Sequence, residues 1–510
     1  MTLDTTMLEA YAKRILKARV YEAAVETPLS AMPLLSQRFD NRILLKREDL
    51  QPVYSFKIRG AYNRMAQLTE AQRACGVITA SAGNHAQGVS LAAQRMGIQA
   101  TIVMPRITPE IKIAAARARG ARVVLKGDAF SEALTHAMAL MEAHGYSWIP
   151  PFDDPDVIAG QGTVAMEVLR QNPGPIDAVF VPVGGGGLLA GMTAYIKYLR
   201  PEIRVIGVEP EDAASLKAAL EARDRVTLDQ VGLFAEGVAV AQIGEAPFEI
   251  LRDHVDEVIT VNTDEMCAAV KDIFEDTRAV SETSGALSLA GLKKYAQRPE
   301  VSDRTLIAVN TGANLNFDRL QHIAERTQLG EQREAILAVT IPERPGSFKA
   351  FCRTLGRRMV TEFNYRYADD REAHIFVGVQ VNPGGDDRHE LVARLGQHYA
   401  VEDLTDNELA KLHIRHLGGG RPQAPLHERL YRFEFPERPG ALMNFLNQLP
   451  EGWNISLFHY RNHGAAYGRV LIGMQVPASD GATLEQRLDE IGYRYWHETD
   501  NPAYRLFVSG

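Results

Sequence analysis

At 510 residues the chain is longer than one hydrophobic core can serve, so two or more domains are expected. Apolar residues make up 45% and charged residues 24%, an ordinary balance for a globular protein. The net charge of -8 favours solubility and leaves no basic footprint for nucleic acid.

Asp4, Glu9, Lys13, Arg14 and Lys17 have no apolar run between them, which excludes a secretory signal there. Cys75, Cys267 and Cys352 show neither metal-ligand spacing nor an even-numbered disulfide framework, so no metal is expected and a reducing cytoplasm suits the chain. Up to about residue 320, short β-branched runs alternate with helix-length segments. The runs lie at 43–45, 76–79, 101–104, 122–125, 179–181, 205–208 and 306–309, with Ala-rich amphipathic stretches such as 111–119 and 132–143 between them. This alternation indicates an α/β fold with mostly parallel strands, and the length suggests two sheets. Residues 178–196 carry no charge, but Pro182 and four consecutive glycines break the stretch. A membrane span needs about 20 mostly apolar residues without such a break, so none is expected.

After the charged stretch 324–333 the texture changes to aromatic-rich alternating strands, and the chain repeats itself. LAVTIPERPGSF (337–348) returns as YRFEFPERPGAL (431–442), FNYRY (363–367) as FHYRN (458–462), and VGVQV (377–381) as IGMQV (472–476). The offsets are 94, 95 and 95 residues. Internal duplication follows. Each copy reads strand, Pro-Gly turn, helix, strand, strand, helix, strand, the ferredoxin-like pattern, with the Gly- and Pro-rich stretch 417–425 as linker.

Four segments of the α/β part carry residue types suited to chemistry. In SFKIRGAY (55–62) Lys57 stands among apolar neighbours near a helix start. A desolvated lysine becomes an amine nucleophile, although a lone lysine is ordinarily a solvated surface group. ASAGNHAQG (80–88) follows a strand and opens a helix, offering backbone N–H groups and Asn84 to a carboxylate-sized anion, or serving only as a capped turn. VPVGGGGLLAG (181–191) lacks the Gly-Lys-Ser/Thr ending of a nucleotide loop, but Gly184–Gly187 can turn their N–H groups on one phosphate. VNTGANLNF (309–317) places the Thr311 hydroxyl at a strand end, where sites open in such sheets.

In this order the four segments, with both tail repeats, resemble the biosynthetic threonine dehydratases (threonine ammonia-lyases) of the tryptophan-synthase-β-like pyridoxal-phosphate class, from about residue 8 to the C-terminus. The resemblance implies a two-subdomain fold-type II catalytic domain over residues 1–325. It also implies two α+β ferredoxin-like (ACT-like) regulatory domains over 335–407 and 429–500. Lys57 would be the Schiff-base lysine for pyridoxal 5'-phosphate and the base that removes the Cα proton of L-threonine. Gly184, Gly185, Gly186, Gly187 and Leu188 would hold the phosphate, Asn84 would meet the ring hydroxyl, and Phe56 and Gly237 would flank the ring. Ser81, Ala82, Gly83, Asn84 and His85 would grip the substrate carboxylate. Thr311 matches a position, commonly serine, whose hydroxyl meets the pyridine nitrogen. Thr283, where relatives commonly carry proline, is a second departure and is expected to matter little.

The products would be 2-oxobutanoate and ammonia, the committed step of isoleucine biosynthesis. Feedback inhibition by isoleucine opposed by valine, and a homotetramer, are implied with them. Tyr365 and Tyr460, 95 residues apart, are the nominated effector contacts, with packed aromatic residues as the alternative. Two other functions stand beside this one. A serine-directed dehydratase or racemase would use the same machinery, and a non-catalytic amino-acid sensor would keep the fold without the reaction.

Overall fold

A computed structural model describes residues 5–317, 319–344, 346–366, 371–383, 386–412, 414–416, 428–436, 441–450, 452–461, 467–480, 483–501 and 504. The expected linker 417–425 lies outside the described residues, as do Tyr367 and Asn462 of the repeated motifs. The chain forms two compact units, Met1–Gly330 and Glu331–Gly510.

The first unit contains two sheets. One has six strands: β1 (Leu29–Ala31), β2 (Arg42–Arg47), and then, later in the chain, β7 (Ala178–Pro182), β8 (Arg204–Pro210), β9 (Glu257–Val261) and β10 (Thr305–Asn310). The strands between them, β3 (Val77–Ala80), β4 (Ala100–Met104), β5 (Arg122–Leu125) and β6 (Ser147–Trp148), make a four-stranded parallel sheet. The larger sheet runs β1-β2-β10-β7-β8-β9, parallel except where β1 pairs with β2. Its alternation explains the uncharged runs. Leu44, Val179, Val181, Val205, Ile307 and Val309 face one core, while Ile43, Leu45, Phe180, Ile206, Val208, Leu306 and Ala308 face the other. Helices cover both faces, as parallel sheets require. The charged stretch that marks the change of texture in sequence is largely occupied by a helix, Arg319–Gly330.

At the end of β2 lies a buried charge cluster that sequence did not single out. Arg59, on the helix Lys57–Ala66, donates to both oxygens of Glu48 at 2.7 and 2.8 Å and to both oxygens of Glu167 at 2.6 and 3.0 Å. Lys46 Nζ reaches Glu167 at 2.6 Å and the Thr27 carbonyl at 2.5 Å. All four charged side chains are fully buried, and two positive groups meet two negative ones. Gly60, next to Arg59, packs so closely on the helix Pro155–Gln171 that a Cβ there would sit 2.3 Å from Gln161 Nε2.

The second unit is one sheet built from both repeats. Its strands are β11 (Glu334–Pro342), β12 (Val360–Arg366), β13 (Glu372–Gln380), β14 (Ala400–Asp403), β15 (Arg429–Pro436), β16 (Asn454–Arg461), β17 (Tyr467–Gln475) and β18 (Tyr495–His497). The order β14-β11-β13-β12-β16-β17-β15-β18 joins two ferredoxin-like halves edge to edge through antiparallel β12 and β16. Two edges that each copy alone would leave unpaired are thereby closed. A single core of both copies lines the helix-covered face, from Leu337, Val339 and Phe363 to Phe433, Phe458 and Ile472.

Each copy also carries the same bulge device. The register of β12 on β13 shifts at Thr361, and that of β16 on β17 at Ser456. Their hydroxyls donate to Glu334 and Glu428, 94 residues apart. Copy one brings Arg415 to Glu362 at 3.0 Å, and copy two brings the Tyr504 hydroxyl to Glu428 at 2.7 Å.

Replacing Arg59 by methionine strands two buried carboxylates. It is expected to destabilise the catalytic unit by about 3–5 kcal/mol, read as a large fall in its melting temperature. Lys13→Met, which breaks an exposed pair with Glu9, leaves that temperature unchanged.

Candidate active site

Three strand ends and one helix start converge on a single cleft. β3 runs into the turn Ser81–Gly83 and the helix Asn84–Met96. β7 runs into the tetraglycine segment and the helix Gly187–Leu199. β10, hydrogen-bonded to β7, ends at Asn310, directly before Thr311. Openings beyond the carboxyl ends of parallel strands are where such sheets bind ligands. The cleft is lined by Phe56, Lys57, Asn84, Gly184 to Leu188, Gly237 and Thr311, all named from sequence. Ser81, Ala82, Gly83 and His85 lie in the turn and helix start beside Asn84.

Lys57 is the first residue of its helix, and its amine donates to the Pro151 carbonyl at 2.9 Å. Desolvation in the cleft pushes the amine down to about 8, partly opposed by the carboxylate of Glu282. A minority of the amine is therefore neutral and nucleophilic near physiological pH, far more than for an ordinary lysine. The helix Asn84–Met96 supports this placement, because Gly88 packs against the Lys57 carbonyl so closely that a Cβ would lie 3.1 Å from it.

The tetraglycine segment is shaped for an anion. Gly186 caps its helix with φ +89, a left-handed conformation that a side chain would strain. A Cβ on Gly184 would meet Val238 Cα at 2.9 Å, and one on Gly185 would strike the Phe152 ring at 2.2 Å. The first N–H groups of the helix have no acceptor within it and stand at the positive end of its dipole, among residues that line the cleft. A phosphate fits this donor set, and the amine of Lys57 fits an aldehyde in the same cleft.

Other lining residues were not read from sequence: Pro151, Phe152, Gln161, Glu282 and Ser284. Glu282 accepts from Asn84 Nδ2 at 2.6 Å, and burial raises its carboxyl to about 7. Ser284 Oγ accepts from Gly237 N at 2.9 Å, while Thr311 donates to the Ser284 carbonyl at 3.3 Å. Both residues belong to SETSGA, where sequence drew attention only to Thr283. That threonine opens the helix Thr283–Ala296 and donates to the Phe234 carbonyl at 3.0 Å, bracing the turn that carries Gly237. His85 is buried, and its Nε2 lies 2.9 Å from the Ile149 carbonyl. Desolvation and the neighbouring Lys57 drive the ring down to about 3, so it is neutral. Among the described residues no cluster could hold a metal ion, and no helix is long and apolar enough to cross a membrane.

The nominated tyrosines lie on neighbouring strands, β12 and β16. Tyr365 opposes Phe458 and Tyr460 opposes Phe363 across the β12–β16 seam, so both share one face of one sheet. Both are buried, and Tyr365 donates to Glu343 at 2.6 Å.

The cleft chemistry predicts selective reactivity of one lysine. Reductive labelling of the unliganded protein with a small aldehyde should modify Lys57 with a midpoint near pH 8. Surface lysines should follow their ordinary value of about 10.4, and peptide mass mapping across pH separates the two.

Comparison with known proteins agrees with this architecture. The profile of the family described as "Pyridoxal-phosphate dependent enzyme" matches residues 20–312. That of the "C-terminal regulatory domain of Threonine dehydratase" matches twice, at 325–414 and 419–508. The L-threonine dehydratase biosynthetic IlvA of Burkholderia multivorans is 55% identical over 98% of this chain and 99% of its own. The Escherichia coli protein of the same name is 56% identical over 98% and 97%. The solved structure of the processed form of threonine deaminase isoform 2 from Solanum lycopersicum superposes with a TM-score of 0.62 at 47% identity, covering 63% of this chain and 94% of that one. A catalytic unit of this class followed by two regulatory repeats places the chain in the biosynthetic threonine dehydratase family of pyridoxal-phosphate enzymes.

Proposed function

We propose that the chain converts L-threonine to 2-oxobutanoate and ammonia by β-elimination, as the committed step of isoleucine synthesis in the cytoplasm. The observation that carries this reading is the meeting of the Lys57 amine, the tetraglycine helix start and the Thr311 hydroxyl in one cleft, within a chain whose relatives are threonine dehydratases.

Pyridoxal phosphate supplies an aldehyde for the substrate amine and a conjugated ring that withdraws electrons from Cα. Gly184, Gly185, Gly186, Gly187 and Leu188 hold its phosphate through backbone N–H groups. Phe56 and Gly237 flank its ring, Asn84 meets the ring oxygen, and Thr311 meets the pyridine nitrogen. A neutral hydroxyl at that nitrogen leaves the ring a weaker electron sink than a carboxylate would. This suits an elimination in which the departing hydroxyl takes the electrons. Ser81, Ala82, Gly83, Asn84 and His85 orient the substrate carboxylate at the start of their helix. Lys57 Nζ removes the Cα proton, and its lowered basicity keeps the amine free to accept it. Neutral His85 places no second cation beside that amine.

A serine-directed reaction remains the competing reading within the same machinery. Serine lacks only the methyl of threonine, worth about 1–3 kcal/mol in a pocket, so relative turnover on the two substrates decides between them.

Residues 1–325 are read as the catalytic domain, with 335–407 and 429–500 as paired sensors. Isoleucine inhibits through them, valine opposes it, and the working assembly is a homotetramer. Tyr365 and Tyr460 are the effector contacts in this reading. The pairing of β12 with β16 supports it, because a ligand bound at either tyrosine would act on one shared seam. Sensing then requires two states of that seam with different effector affinity.

Purified protein with pyridoxal phosphate should release 2-oxobutanoate from threonine, and isoleucine should suppress the release. Lys57→Ala should abolish it, and full activity in that variant would overturn the catalytic assignment. Tyr365→Ala should retain turnover and lose sensitivity to isoleucine, and normal inhibition would remove Tyr365 from the effector site.

A further inference from the structure

We propose that Glu282 is a positioning residue for the reaction, fixing the Asn84 carboxamide so that it meets the cofactor's ring oxygen as a hydrogen-bond donor. The proposal rests on the reading of Asn84 given above and adds what sets its orientation.

A carboxamide has one face that accepts and one that donates, and its direction is decided by its neighbours. Here the direction propagates from a backbone carbonyl, which can only accept. Asn314 Nδ2 donates to the Val53 carbonyl at 2.8 Å, which identifies that end of Asn314 as the NH2 group. The same Nδ2 donates to Asn84 Oδ1 at 2.7 Å. Asn84 Nδ2 is thereby turned toward Glu282 Oε1, which accepts at 2.6 Å. Reversing Asn84 would set NH2 against NH2 at Asn314 and oxygen against oxygen at Glu282. One N–H of Asn84 is used by Glu282, and the second remains for the cleft.

A donor beside the ring oxygen favours its ionised form. Glu282 serves that donor by orientation, its oxygen taking one N–H so that the other is left for the ring oxygen. Glu282 is the N-cap of the helix Thr283–Ala296, 198 residues along the chain from Asn84. The charged groups facing it are Lys57, Lys112 and Glu236. None of these can stand in as the acceptor for Asn84 Nδ2, since Lys57 donates to Pro151 and Lys112 is paired with Glu236.

The test is the absorption spectrum of the substrate-free holoenzyme, which separates bound cofactor with an ionised ring oxygen, absorbing at longer wavelength, from the protonated form. The ratio of the two bands should fall by about threefold to tenfold in Glu282→Ala and by less in the isosteric Glu282→Gln. A fall in Asn84→Ala alongside both would support the proposal. A fall in Asn84→Ala with wild-type spectra in both Glu282 variants would overturn it while leaving Asn84 at the ring oxygen. Wild-type spectra in all three variants would overturn both readings. Should Glu282→Ala not fold, Glu282→Gln alone decides.

Discussion

The Arg59 guanidinium holds together the parts of the catalytic unit that must keep a fixed geometry. It spans Glu48, just beyond β2, and Glu167, on the helix Pro155–Gln171, while itself lying two residues from Lys57. Desolvating four charges is costly, and such a cluster is weak evidence for net stability. Its value lies in direction: a planar fork bound bidentately permits one placement of the helix start, and so one placement of the Lys57 amine. The close contact of Gly60 with Gln161 works to the same end, because it brings two helix backbones nearer than side chains would allow.

Around that amine the cleft combines strong desolvation with few charges. Lys57 is lowered and Glu282 raised by the same burial, so the two approach a common range and neither is held firmly in its charged form. His85, buried and neutral, adds size and a hydrogen bond without charge. The tetraglycine end is the reverse case. It offers backbone N–H groups at a helix N-terminus, whose partial charge does not titrate. Protonation can therefore change the amine without changing the donors of the tetraglycine segment.

The regulatory unit shows what duplication adds beyond a second copy. Bulges at Thr361 and Ser456 recur on equivalent strands, each with a buried glutamate taking its hydroxyl. Arg415 reaches Glu362 in the first site, and the Tyr504 hydroxyl reaches Glu428 in the second. Pairing β12 with β16 places both tyrosines in one packed layer, against Phe348 in the case of Tyr365. The two halves thereby share one close-packed core.

Much of this was legible in the residue order, for local reasons. Alternating apolar runs marked β2, β7, β8 and β10, because a strand buried on both faces has no polar side to show. Glycine runs and strand-to-helix turns marked the anion loop, because backbone conformation there depends on neighbouring residues alone. The repeat was visible because both copies keep the same turn and strand residues. Glu282, Ser284, Phe152 and the Arg59 cluster were not legible. Their meaning depends on partners far along the chain, such as Asn84 for Glu282 and Glu167 for Arg59. A glutamate in SETSGA or an arginine in SFKIRGAY looks like any surface charge until folding removes the water around it. The sequence by itself determined the strand pattern, the glycine loop at a helix start and the duplication, since each follows from local conformation and periodicity. Only the tertiary structure decided which charges are buried together, which way Asn84 faces and that the two tyrosines share one sheet, since those depend on contacts between residues distant in the chain.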